Sequence, residues 1–373
     1  MELNQFKSTS QRREFLAKEL KIKLETIDKA QLDEETAIHC ENLIGATAIP
    51  LGVAGPIKLN GEAINGNIYL PLATTEGALV ASVNRGCKAV NLSAGVNVLT
   101  YKVGATRGPV FYTGSLEKSK QFYQWIKQNK SKLGEIAEST SSHLKFLKLD
   151  IRTLTDYVFL RFYFDTQDAM GMNMVTIATQ KIAGYIEAKT KITCLSVAGN
   201  FDIDKKPSWL NWLNNRGFKG WAEVIVPVKI VKDVLKTTPK ALFEVWLAKC
   251  MFGSIMSGSL GFNSHFANVV AAFFVATGQD LAHVVEGSLG ITTVKILANE
   301  DLYFSIYMPS IMLGTVGGGT KLKTQQEALS ITGVSKSVEL AEVLLGAVLA
   351  GELSLLSSLA EGSLAQAHQK LGR

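Results

Sequence analysis

Four residues of a chemically useful kind stand among small neighbours: Glu76 in ATTEG, Lys205 in DIDKKP, Asp280 in ATGQD and His368 in LAQAHQK. Two carboxyls, an ammonium and an imidazole are groups that move protons and stabilise charge. They lie too far apart in sequence for spacing to join them, so a fold has to. Each also has an ordinary explanation. A glutamate in a first helical turn stabilises the helix by about 0.3–1 kcal/mol. A lone lysine makes surface salt bridges, an aspartate after Gly278 caps a helix, and a histidine near the chain end belongs to an exposed tail.

The elements that must position these groups are readable in outline. TTEG followed by GALVASVNRGCKAV reads as a loop entering a helix, with Thr74 or Thr75 as N-cap and Glu76 in the first turn. Residues 1–40 form a polar helical lead-in carrying QRREFLAKELKIKLETI. From Glu41 the composition turns to Gly, Pro and β-branched residues, which predicts short strands and turns. Residues 108–195 read as a helix, two strands within KFLKLDIRTLTDYVFLRFYF, and a loop entering a second helix at DAMGMNMVTIATQKIAGYIEAK. That pattern predicts a small α+β (ferredoxin-like) domain inserted into a large α/β domain made of residues 41–107 and 196–373.

A chain of 373 residues exceeds what one core usually serves, and 47% hydrophobic against 19% charged residues excludes disorder as the default. The apolar run VLLGAVLAGELSLLSSLA is interrupted by Glu352 and the first residues lack an apolar signal core, so no membrane span and a cytoplasmic enzyme are expected. Cys40, Cys87, Cys194 and Cys250 have no paired spacing, and His39, His143, His265, His283 and His368 form no ligand motif, so no structural metal is expected. A net charge of +6 spread along the chain speaks against nucleic acid and fits small phosphate-bearing ligands.

The ordered motifs ENLIGATAIPLGVAGP, ATTEGALVASVNRGCKA, GATRGPV, DAMGMNM, DKKP, NSHFANVV, GQD, MPSIMLGTVGGGT and AGELSLLSSLAEGSLAQAH resemble the 3-hydroxy-3-methylglutaryl-CoA reductase family, in its class I form. The resemblance runs from about Glu41 to the C-terminus. It implies reduction of the thioester to mevalonate and free CoA with two NADPH. It also implies a homodimer or homotetramer with active sites at the dimer interface and ENLIG near the neighbour's site.

The resemblance assigns the catalytic set to Glu76, Lys205, Asp280 and His368. Lys205 would stabilise the oxyanion formed by hydride addition. Glu76 would donate a proton, kept on its carboxyl by the like charge of Asp280. His368, on a closing tail, would protonate the departing CoA thiolate. Arg107, Asp204, Lys206, Lys249 and Asn268 are implied around the acyl group, and Ser82, Asn84, Arg85 and Lys236 towards CoA. For the dinucleotide the resemblance implies Ser141, Asp168, Met170, Gly171, Met172, Asn173, Met174, Gly317 and Gly318, without the GxGxxG fingerprint.

Two departures qualify the pattern. Ala198 stands where the class I motif has a serine, which removes one hydroxyl contact to the acyl group. Ser142 stands where a basic residue is expected. Against a resulting preference for NADH, the run Ser139 to Ser142 precedes a helical-looking HLKFLK, where free amides at a helix start would suit a 2′-phosphate. The alternatives are a class II-like NAD-dependent enzyme degrading mevalonate, opposed by the last helix and the STS motif, and a silent CoA-binding protein, opposed by the presence of all four catalytic positions.

The role implied for His368 has a direct test. His368→Gln should cripple reduction of the thioester far more than reduction of added mevaldehyde, because only the first route releases a CoA thiolate. Equal losses on both substrates would remove that role.

Overall fold

The computed structural model describes residues 5, 6, 8–24 and 46–362. His368, the ENLIG segment and the whole of the lead-in beyond Leu24 lie outside the described residues. The lead-in contributes helix α1 (Thr9–Leu20), closed at its start by a Ser8–Gln11 capping box. Leu16 and Leu24 pack with Tyr69 and Ile331 in a small apolar cluster, so α1 covers the fold from outside.

Strands β1 (Leu51–Asn60) and β2 (Asn65–Ala73) form an antiparallel hairpin. Helix α2 (Leu79–Leu92) follows and buries Leu79, Val83, Cys87, Ala89 and Val90 along one side. A Cβ at Gly86 would stand 1.9 Å from the carbonyl oxygen of Ala350, so this position needs glycine for the two helices to touch. Glu76 is not in the first turn of α2. The helix begins two residues after Gly77, with Ala78 left-handed at its N-cap, and the Thr74 hydroxyl accepts from the Glu76 amide at 2.9 Å. Thr74 therefore organises a turn before the helix instead of capping it.

Strand β3 (Val96–Arg107) is shared by two sheets. Its residues from Asn97 to Gly104 pair with β8 (Arg216–Val226), and Ala105 to Arg107 pair with β6 (Tyr157–Asp165). On the β6 side, β4 (Val110–Tyr112), β5 (Lys145–Leu154) and β7 (Thr193–Ser196) complete an antiparallel sheet of order β7-β4-β6-β5. Helices α3 (Leu116–Gln128) and α4 (Lys130–Glu138) link β4 to β5, and α5 (Met172–Thr190) links β6 to β7. This is the split βαβ arrangement expected of a ferredoxin-like unit, with its own apolar cluster including Phe111, Phe122, Leu160, Phe162 and Ile182.

The run after Ser139 corrects one expectation. HLKFLK enters strand β5, and Ser139 and Thr140 sit at the C-terminal end of α4, their hydroxyls donating to the carbonyls of Ile136 and Ala137 at 2.7 and 2.6 Å. Alternation of apolar and polar residues over Lys145–Leu154 has period two, and that outweighed the helical-looking start. A helix C-terminus presents carbonyls, so it lacks the amides invoked for a phosphate.

On the other side β8 continues to β11 (Leu302–Ile311), β10 (Gly290–Ile296) and β9 (Gly261–Phe262). Two helices, Phe266–Thr277 and Ser337–Glu361, lie in the main core. Ser337–Glu361 is the one helix, among the described residues, long and apolar enough to cross a membrane, and 83% of its most apolar window is buried within the fold. It is a core helix here.

That helix carries two buried acids, and each serves backbone amides. Glu342 Oε2 accepts from Ala63 and Ile64 at 3.1 and 3.0 Å. Glu352 accepts from the amides of Ser264 and His265, from the His265 ring at 3.0 Å and from the Thr292 hydroxyl at 2.7 Å. It thereby closes the start of helix Phe266–Thr277, which has no side-chain cap of its own. Complete burial pushes the Glu352 carboxyl upward, yet the His265 ring and the surrounding donors hold it below the ordinary carboxylate range.

Removing this carboxylate by Glu352→Leu should cost about 3–5 kcal/mol, because its buried partners lose their acceptor, and urea unfolding measures it. The lowered carboxyl contributes stability above its unfolded pKa that is lost as pH falls through the folded one. Glu352→Gln should therefore flatten the acid side of the stability curve, and an unchanged acid slope would show that Glu352 does not supply it.

Candidate functional site

A cleft of about 470 Å³ lies where the two sheets meet. Arg107 from the end of β3, Asp204 and Lys205 from the loop after β7, Gly278 to Asp280, the loop Ala169–Met174 and the glycine-rich turn between Gly314 and Thr320 line it. Gln279 bonds the Gly314 carbonyl and amide at 3.0 and 2.9 Å, which ties two of these segments together.

The loop between β7 and β8 is wound tightly. Asn200, Ile203 and Lys205 all have positive φ, at 61°, 55° and 57°, a backbone region that costs non-glycine residues energy. Buried bonds hold it there. Asp202 Oδ2 accepts from Arg107 Nη1 at 3.1 Å, and the Thr106 hydroxyl donates to the Asp202 carbonyl at 2.8 Å. Asp204 pairs with Arg216 at 2.9 Å and with Arg107 at 3.5 Å, and the Lys205 amide donates to Glu286 at 3.3 Å. In this conformation the Lys205 ammonium lies 2.9 Å from Asp280 Oδ2.

Asp280 has two functions at once. Its Oδ1 caps the short turn Leu281–His283 through the Ala282 amide at 3.1 Å, while Oδ2 takes Lys205. Burial is the largest influence on its carboxyl and pushes it up. The Lys205 ammonium, the His283 ring and the Ala282 amide overcome this and leave it below the ordinary range. Asp280 is thus an anion whose position is fixed from both sides.

Behind this pair lies an ionic cluster with little access to water. Arg216, His283 and Glu286 are fully buried. Arg216 bonds Glu286, Asp204, the Thr106 hydroxyl at 2.8 Å and the Met172 sulfur at 3.0 Å. Asp204, His283 and Glu286 bring ligand atoms within 4.8 Å of one another, a spacing that a metal ion can use. The guanidinium of Arg216 already bonds both of these carboxylates, so an arginine supplies the positive charge at this spot. Arg216, Glu286, His283 and Asp202 are the site residues that sequence reading missed. The pair at i and i+3 in HVVE was a faint signal, while an arginine or aspartate carries no mark of burial in sequence.

The dinucleotide residues are partly brought together. Met170, Gly171, Met172, Asn173 and Met174 line the cleft with Gly317 and Gly318. Helix α5 starts there, with left-handed Gly171 as N-cap and no side-chain cap, so its first amides remain available. Gly317 and Gly318 have φ of 83° and 55°, and no atom lies within 4 Å of where a Cβ would stand, which leaves the backbone open to a ligand. These features fit a dinucleotide. Asp168 does not join them: its carboxylate accepts from the Ser337 amide and hydroxyl at 2.8 and 3.0 Å and bolts the loop to the last helix. Ser141 accepts from the His143 amide at 3.1 Å in the turn before β5.

Glu76 is placed elsewhere. Its Oε2 accepts from Asn268 Nδ2 at 2.6 Å, near the start of helix Phe266–Thr277, whereas Asp280 follows that helix's end. The nine residue steps from Asn268 to Thr277 rise about 14 Å. Glu76 is not among the residues lining the cleft. Within one chain, then, Asp280 does not adjoin Glu76, and the like-charge effect expected between them has no support there.

The remaining sequence candidates divide. Ser82 and Arg85 face the last helix, bonding Ser354 at 3.0 Å each, and Arg85 also bonds Ser358. Asn84 accepts from the Gly55 amide at 3.0 Å. These three are engaged in packing contacts. Lys206 donates to the Asp204 carbonyl at 3.2 Å. Lys236 and Lys249 are exposed, and Lys249 sits in a π-helical turn, Leu247–Gly253, a geometry frequent at functional sites.

The family profile described as hydroxymethylglutaryl-coenzyme A reductase matches residues 8–373. A 3-hydroxy-3-methylglutaryl-coenzyme A reductase of Methanocaldococcus jannaschii is 47% identical over 98% of this chain and 93% of that protein. The Methanothermobacter thermautotrophicus protein of the same name is 48% identical over 97% and 92%. The fold is similar to that of the class II reductase from Streptococcus pneumoniae bound to NADPH, with a TM-score of 0.79 at 18% identity, covering 96% of this chain and 98% of that one. The chain belongs to the hydroxymethylglutaryl-coenzyme A reductase family of oxidoreductases.

Proposed function

We propose that the chain reduces 3-hydroxy-3-methylglutaryl-CoA to mevalonate and CoA with two NADPH, in the biosynthetic direction and in the cytoplasm. The observation that carries this reading is one cleft lined by Arg107, the Lys205–Asp280 pair, the glycine turn and the uncapped start of α5. In this reading residues 108–195 are the dinucleotide-binding unit, and residues 41–107 with 196–373 bind the acyl-CoA.

NADPH, when bound, supplies hydride to the carbonyl carbon. Lys205 neutralises the charge that gathers on the carbonyl oxygen, and Asp280 keeps its ammonium aimed there. Arg107, whose Nε is buried without a partner, takes the acyl carboxylate together with Lys206 and Lys249. Lys236 meets the phosphates of CoA, with Ser82, Asn84 and Arg85 shaping that wall. His368 protonates the leaving thiolate.

The separation of Glu76 from Lys205 supports a site completed by a second copy of the chain. In a twofold dimer, Glu76 of the partner subunit approaches Lys205, with Asn268 beside it, and donates the proton. The partner's acid then stands next to Asp280, which restores the like-charge effect across the interface.

The 2′-phosphate has a cation that the serine run itself lacks. Lys181 on α5 places its ammonium 3.0 Å from Ser139 Oγ, at the start of the serine run. This charge supplies what Ser142 does not, and NADPH remains preferred by a reduced margin.

Consumption of NADPH with HMG-CoA, with mevalonate detected as product, tests the activity. Glu76→Gln and Lys205→Met proteins should each be inactive, and co-refolding them in equal amounts should restore about a quarter of wild-type activity, because half the dimers then carry one intact site. No recovery would place the whole site in one chain. Lys181→Met should lower kcat/KM for NADPH about tenfold or more, the size of one charge-assisted hydrogen bond, and leave NADH little changed. Equal losses with both cofactors would remove Lys181 from phosphate recognition.

A further inference from the structure

His283 is fully buried and faces almost nothing but ionised groups. Its Nδ1 lies 2.8 Å from Glu286 Oε1, a carboxylate oxygen that accepts only, so this nitrogen carries a proton. The other nitrogen, Nε2, is buried with no hydrogen-bond partner. It stands 3.7 Å from Asp280 Oδ2 and 3.9 Å from Asp204 Oδ1.

A lone pair on Nε2 would face two acceptors, whereas an N–H there would face two partners. The charges around the ring point the same way. Asp204, Asp280 and Glu286 stand within ion-pair distance of its nitrogens, against one cation, Arg216, whose Nη1 lies 3.4 Å from Nδ1. These groups come from the loop after β7, the start of β8 and the segment from Asp280 to Glu286.

We propose that His283 is a positioning residue whose Nε2 takes up one proton and, in that form, clamps Asp280 and Asp204 at the cleft. The inference rests on the reading of Lys205 and Asp280 as the reacting pair. With the proton in place, Asp280 is held between an imidazolium and the Lys205 ammonium, and Asp204 is held beside Arg107. Without it, the ring repels both carboxylates, and the lysine loses a fixed counter-charge. One histidine thereby couples the hydride-accepting end of the substrate to its carboxylate end.

NMR of imidazole-labelled holoprotein gives the first test and needs no substrate. The signal that disappears in His283→Gln belongs to His283. Its chemical shift should follow the proton on Nε2, and Asp280→Asn should make that proton harder to add, because a neighbouring carboxylate favours the charged ring. A signal that does not titrate, or that titrates alike in Asp280→Asn, overturns the proposal.

The second test is the pH profile of mevaldehyde reduction, which needs no thiolate protonation by His368. Wild-type kcat should fall as pH rises and the His283 ring loses its second proton. His283→Gln and His283→Asn, neutral at every pH, should lack that limb and lose kcat about tenfold, with KM for mevaldehyde changed less than about threefold. Variants that unfold more readily but keep the wild-type profile make His283 structural only and overturn the proposal. A wild-type protein that reduces no HMG-CoA overturns the functional reading, while the NMR titration still decides the clamp.

Discussion

The burial of Arg216 is the constraint around which the site is arranged. A guanidinium with no exposure is tolerated only when carboxylates and acceptors surround it, because an unpaired buried charge costs several kcal/mol. Arg216 opens β8 beside the end of β3 and draws its partners from four places: Thr106 on β3, Asp204 in the strained loop, Glu286 after the capped turn and Met172 at the start of α5. Meeting the needs of one side chain therefore brings together the loop from Asp202 to Lys205, the lysine–aspartate pair and the start of α5. The cleft exists because these four segments cannot separate without exposing or stranding that charge.

A second set of buried acids fixes the frame outside the cleft. Glu342 and Glu352 sit on an otherwise apolar helix, and each is satisfied by backbone amides at a loop or a helix start. Glu352 orients helix Phe266–Thr277, and this helix keeps Asn268 with Glu76 at one end and Asp280 with Lys205 near the other. In the proposed reaction the length of that helix keeps one chain from closing its own site, so the reading requires a second copy.

What the sequence made legible follows from where local chemistry decides the structure. DAMGMNM and GTVGGGT announced loops because glycine is needed where backbone turns left-handed or meets a ligand, and both line the cleft. The helix after TTEG was readable too, but not its first residue, since Thr74 satisfies the Glu76 amide in a turn and the helix starts later. Arg216, His283 and Glu286 were not legible, because their partners come from segments distant in sequence and charged residues are exposed by default. The serine run misled for the same reason: its partners are the carbonyls ending α4, which only the fold supplies.

In the proposed reaction, the lysine at the centre is where the cluster would contribute to catalysis. A free lysine side chain has roughly 2 kcal/mol of rotamer entropy to lose when it is fixed, and three left-handed residues in one loop cost about 1–3 kcal/mol each. Both costs are met before any substrate arrives. The backbone of Lys205 is tied to Glu286, its neighbour Asp204 to Arg216 and Arg107, and its ammonium to Asp280. Over-determination of this kind turns a flexible surface-type residue into a fixed positive charge. The substrate's binding energy need not be spent on arranging it, and the interaction with the carbonyl oxygen can strengthen as negative charge develops there. The same ties explain why the loop keeps its strain, since relaxing any one of the left-handed residues would pull Asp202, Asp204 or the Lys205 amide away from a buried partner.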